Sequence, residues 1–135
     1  MTFTSATGLI ATLVGMNISG IGSGAMYPFM PDVVNYTPIF YVRVATRRSE
    51  TSTLDYSQGL KQGSFEAVIL VGEMNLDTQA NNIANANALE DAAVTALEAN
   101  AAALGLDSYE ITPEEDSLGG DTPYWALVIR GEVSG

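Results

Sequence analysis

Two side chains are missing from this 135-residue chain: it has no cysteine and no histidine. Without cysteine there are no disulfides, thiolate metal sites or cysteine nucleophiles. Without histidine the chain lacks the commonest general base and the one side chain whose unperturbed pKa lies near neutrality. Any catalysis would fall to carboxylates, Lys61, hydroxyls or a borrowed cofactor, and no such constellation is visible. The sequence therefore predicts a protein that is not an enzyme and takes no cofactor. Basic residues are scarce, five against 16 acidic ones, for a formal charge of −11. A surface of that sign repels nucleic acid and has no cationic stripe to release counterions, which excludes tight DNA or RNA binding. It fits plain solubility, or a wall past which DNA slides without sticking.

Long apolar runs are also lacking. Gly8–Met16 is too short to span a bilayer, and no Lys or Arg precedes it. The reading is a soluble chain made in a cytoplasm. The sequons at Asn17 and Asn35 are then chance matches.

The length fits one domain, residues 1–135, large enough for a core without staples. Ser5–Met16 reads as a short helix capped by Thr4 or Ser5, with Leu9, Ile10, Leu13 and Val14 on one face. A glycine-rich loop follows, in which Tyr27 and Phe29 are expected to tack the chain to the core. Pro38–Thr46 alternates as a strand; Phe40, Val42, Val44 and Thr46 form the expected core face, because Arg43 sits on the other. Phe65–Met74 alternates again and is expected to pair antiparallel with it. A helix capped by Asp77 or Asn75 should run to Leu104, with Ile83, Ala86, Leu89, Ala93, Leu97, Ala101 and Leu104 buried and Gly105 as the stop. Ser108–Ile111 reads as a short strand, Thr112–Thr122 as an acidic turn region and Pro123–Val133 as the last strand. The order predicts an α+β domain: an antiparallel sheet of about four strands, covered on one side by the long helix and the short N-terminal one.

Between the central strands lie the 18 residues Arg47–Ser64, rich in Ser, Thr, Gly and Gln. That exceeds an ordinary hairpin loop several-fold. It is either an extended hairpin arm or a segment that orders on a partner. Leu54, Tyr56 and Leu60 give it apolar anchors, and Arg47, Arg48 and Lys61 are the one basic grouping, suited to meeting carboxylates of a neighbouring copy. Glu114-Glu115-Asp116 is the densest charge cluster. It lacks the ligand spacing of a calcium loop, so no metal is expected there; a solvated loop or one wall of an acidic channel is. Gly20-Ile21-Gly22-Ser23-Gly24 has no preceding strand and no Lys, and reads as a turn rather than a phosphate loop.

Strand Pro38–Thr46, arm Arg47–Ser64, strand Phe65–Met74, helix Asp77–Leu104 and the end from Ser108 to Arg130 together carry a resemblance. Their order is similar to that of the tail terminator proteins of long-tailed bacteriophages, the lambda type in particular. The likeness spans about 100 residues as architecture. The Gly15–Gly24 stretch and the alanine-rich helix depart from the family pattern. The resemblance implies a non-enzymatic ring of six copies that ends tail-tube polymerisation and joins the tail to the neck. It implies a tail tube protein and a neck or head-completion protein as partners, DNA passing through without specific binding, and a place in the virion. Arg47–Ser64 would be the arm and Glu114–Asp116 the charged loop or lumen wall. Six copies would carry about −66, which suits a conduit that must not retain DNA. The alternatives are another neck or tail-tube component, or a monomeric ligand-binding α+β domain with a pocket beneath the long helix.

Overall fold

Alternating β-branched and aromatic residues build a long antiparallel ladder at the centre of the molecule. The computed structural model describes residues 5–50, 60–75, 77–118 and 120–135, with backbone alone at 49, 50, 60 and 61. Its elements are α1 (Ala6–Val14), β1 (Met26–Tyr27), β2 (Ile39–Glu50), β3 (Leu60–Glu73), α2 (Gln79–Ala99), α3 (Ala101–Leu104), β4 (Leu106–Asp116) and β5 (Tyr124–Ser134). The fold is α+β. Among the described residues the sheet has five strands in the order β1-β2-β3-β5-β4, all antiparallel except β1, which runs parallel to β2. The fifth strand corrects the expected four: β1 is two residues long and hides in the glycine-rich loop. Tyr27 does pack against the core. Phe29 does not; the chain leaves the sheet after Tyr27, and Phe29 is 66% exposed.

Ser5 caps α1, its hydroxyl accepting from the Gly8 N–H at 3.0 Å, and Leu9 and Leu13 are buried as their spacing predicts. The long helix departs from expectation in three ways. Its N-cap position is Thr78; Asn75 Oδ1 instead accepts from the Asp77 N–H at 2.9 Å in the preceding turn. Asn82 is buried where Ile83 was expected, and Ile83 is 49% exposed. The helix also breaks at Asn100, whose amide donates to the Ala96 carbonyl at 2.8 Å, before α3 resumes. Gly105, with φ of 70°, ends α3 as predicted, since a left-handed residue there suits glycine.

The helices form a layer over one face of the sheet: α2 contacts β3 and β5, while α1 contacts β2 and α3. Phe40, Val42, Phe65, Ala67, Ile69, Leu127 and Ile129 point into that layer and are buried. The opposite face is buried too at its centre, through Ile39, Tyr41, Val68, Leu70, Ala126 and Val128. The central strands are thus two-sided core, which is why their sequences are near-continuous apolar runs.

A β-bulge at Arg43 decides the rest of β2. The register steps from Val42↔Ala67 to Val44↔Glu66, skipping Arg43. One extra residue sends every later side chain to the other face. Val44, expected in the core, is therefore 46% exposed, and Ala45 turns inward. At Gly131 the ring of Phe65, directly opposite, lies over the backbone; a Cβ there would stand 2.3 Å from the ring, so only glycine leaves room.

Candidate functional site: a cationic hairpin and a carboxylate network

The β2–β3 ladder runs from Ile39↔Leu70 to Glu50↔Leu60. Its flanking support stops earlier: β5 pairs with β3 only as far as Gln62↔Ser134. The last rungs, Ser49↔Lys61 and Glu50↔Leu60, have no third strand beside them among the described residues. The polar segment between the central strands thus begins as a hairpin projecting past the end of the sheet. Leu54 and Tyr56 lie outside the described residues. Leu60 and Lys61 are placed by backbone on the projecting rungs. Arg47 and Arg48 are exposed on the two preceding ones, opposite Gly63 and Gln62.

Three of the chain's five cations therefore fall on three consecutive rungs. Residues 47–64 also hold two of the 16 carboxylates, so this segment carries +1 and the remaining chain −12. The other two cations, Arg43 and Arg130, are engaged elsewhere.

They lie in a network on the face away from the helices. Arg43 binds Asp116 (Nη2–Oδ2, 2.9 Å) and Glu66 (Nη1–Oε2, 3.2 Å). Arg130 binds Glu66 (Nε–Oε1, 2.8 Å) and Glu114 (Nη1–Oε2, 3.0 Å). The Tyr41 hydroxyl donates to Asp116 Oδ2, and Asp116 Oδ1 accepts from the Leu118 N–H at 2.9 Å. The bulge brings Arg43 into this constellation. Strands β2 and β4 are three places apart, ~14 Å in a flat sheet. Their side chains meet over β3 and β5, covering the second core face.

Burial pushes the Asp116 carboxyl up, but the hydrogen bonds from Tyr41 and Leu118 and the Arg43 guanidinium outweigh it and hold the group below the usual aspartate value. Burial, then the adjacent Asp116, pushes the Tyr41 phenol well above its ordinary value. The hydrogen bond to Glu114 raises Arg130.

These residues correct the reading of Glu114, Glu115 and Asp116 as a loop. They are the last three residues of β4, paired with Ala126, Trp125 and Tyr124. Strand alternation turns Glu115 away from Glu114 and Asp116, so the three carboxylates do not converge. Sequence reasoning missed Tyr41, Arg43, Glu66 and Arg130, which are 16 to 75 residues distant from their partners. The one available signal was a charge inside each of three otherwise apolar strands.

Beyond the network, toward the hairpin, the same face opens into a cleft of about 530 Å3 whose lining includes Val44, Glu66, Glu110, Arg130 and Glu132. Among the described residues no helix is long and apolar enough to cross a membrane. No protein-family model and no curated protein matches this chain.

Proposed function

We propose that the chain is a non-enzymatic structural subunit that assembles head to tail into a closed ring, of the kind that terminates a bacteriophage tail. In this reading six copies cap the tail tube, end its polymerisation and join it to the neck, and the ring resides in the virion after synthesis in the host cytoplasm. DNA passes its carboxylate-rich wall without specific binding, and no membrane is involved.

The observation that carries the reading is a ladder end that gathers three of five cations on consecutive rungs, with Lys61 on a rung past the last β5 pair, on a body at −12. Identical bodies of that charge repel one another at low salt unless a cross-subunit pairing offsets it. Arg47, Arg48 and Lys61 of one copy have suitable partners in Glu110 and Glu132, which are exposed in the acidic cleft. In the head-to-tail arrangement proposed, the cationic patch of one copy meets the acidic cleft of the next, and a contact of that kind closes as a ring or continues as a filament.

Charge exchange tests this. The double variant Arg47→Glu/Arg48→Glu is expected to abolish the oligomer in light scattering, as is Glu110→Arg/Glu132→Arg. Mixing the two variants restores it, because in an alternating ring every hairpin then meets a cleft of opposite sign. Failure of the mixture to assemble, with both variants folded, contradicts the assigned contact. Electron microscopy distinguishes a terminator from a tube protein: single rings support the reading and long tubes refute it.

A further inference from the structure

We infer that the cleft between the first half of α2 and residues 34–38 binds a neutral, hydroxyl-rich ligand of the saccharide class. It encloses about 710 Å3, within the ~300–1,000 Å3 usual for small-ligand sites. Five of the chain's eight asparagines line it, among them Asn75, Asn81, Asn82 and Asn85. Asn82 forms a fixed floor: it is 6% exposed and its Nδ2 donates to the Glu73 carbonyl at 2.7 Å. A Cβ at Gly72 would stand 2.5 Å from Asn82 Oδ1, so the glycine gives that amide its seat. Asn81 and Asn85 are four residues apart and therefore neighbours on the helix surface. Tyr36 and Tyr124 add aromatic surface, and the Tyr36 hydroxyl is tied to the Gly24 carbonyl at 3.2 Å.

The lining is electrically unlike the rest of the chain. It holds one carboxylate, Glu73, and no Lys or Arg. Without a cation it has no charge-assisted hold on a phosphate or a nucleic acid. An amide places a donor beside an acceptor, which matches adjacent hydroxyls on a sugar ring. The tyrosines offer amphipathic faces to the ring's C–H side.

A second observation points the same way. Asparagine is a poor helix former, because its side chain competes for the backbone. Nevertheless Asn81, Asn82 and Asn85 crowd the first half of α2 on the cleft side. The Asn81 and Asn85 side chains make no hydrogen bond among the described residues. A local preference broken without a structural gain marks a functional position.

Saturation-transfer NMR and calorimetry on the full chain test the proposal, with maltotriose, N,N′,N″-triacetylchitotriose, inorganic phosphate and a Gln/Ser peptide as separate probes. The expected result is binding of a neutral trisaccharide that weakens about tenfold or more in Asn81→Ala/Asn85→Ala, as loss of hydrogen bonds to the ligand requires. The melting temperature of that variant should hold or rise, since alanine favours the helix. Asn87→Ala, off the cleft, should bind as the parent does. Binding of neither sugar, binding of phosphate or peptide alone, or an equal loss in Asn87→Ala overturns it. Light scattering on the same samples reports ring formation separately, so the two readings fail independently.

Discussion

Replacing residues 51–59 with Asn-Gly is expected to leave a folded monomer that no longer forms the proposed ring. The Glu50↔Leu60 pair is the last described rung, and an Asn-Gly turn closes two antiparallel strands at such a pair. The described ladder keeps its support, because β5 pairs with β3 up to Gln62↔Ser134. Shortening a loop alters closure entropy only slightly, by well under ~2 kcal/mol. The melting temperature should therefore stay within a few degrees. Assembly should respond quite differently. The replaced segment contains Leu54 and Tyr56, the apolar anchors of the proposed contact. Anchors of this kind carry most of an interface's free energy, about 2 kcal/mol or more each. Their loss is repeated at every interface of a closed ring. Sedimentation velocity checks it: an oligomer that persists removes the arm from assembly, and a chain that no longer folds makes the segment structural.

Asp116→Ala should destabilise the monomer by about 2–4 kcal/mol in urea unfolding, more than removal of an exposed ion pair would. The substitution leaves the buried Tyr41 hydroxyl without its acceptor and Arg43 with Glu66 as its remaining carboxylate. A buried orphan hydroxyl alone costs about 1–3 kcal/mol. Tyr41→Phe removes donor and orphan together, so it should cost less. The network also sets pH dependence. Asp116 sits below its ordinary value of 3.8 in the folded chain. Its contribution is therefore complete above about pH 4 and lost as pH falls through the lowered value. Tyr41 behaves oppositely. Its pKa is raised when folded, so its contribution is full below its ordinary value of 10.0 and is lost as pH climbs beyond it. Asp116→Asn should flatten the acid limb of the stability profile and Tyr41→Phe the alkaline limb. Unchanged limbs in both variants would mean that the network is not coupled to folding.

The α+β plan was legible because its cues are local: alternation in Phe65–Met74, the helical spacing of Leu9 and Leu13, and Gly105 as a stop. What escaped depends on contacts distant in sequence. Val44 looked like core until the bulge at Arg43 inverted the face, and nothing adjacent to Val44 signals that inversion. Glu114–Asp116 looked like a solvated turn because three adjacent carboxylates suit one. They extend β4 instead, since Arg43 and Arg130 on other strands neutralise two of them. In α2 the small, frequent alanines blurred the apolar stripe, so Asn82 rather than Ile83 took the buried position. For the candidate site, the grouping of Arg47, Arg48 and Lys61 was visible as composition. Their alignment on consecutive rungs required the register.

The proposed ring depends on the hairpin of one copy engaging the next. Native mass spectrometry of the full-length protein at micromolar concentration tests it most directly, with the purified tail tube protein added in a parallel sample. The account predicts a dominant six-fold species that dissociates as ionic strength rises, because its contacts pair opposite charges. A monomer that persists in both samples would contradict it.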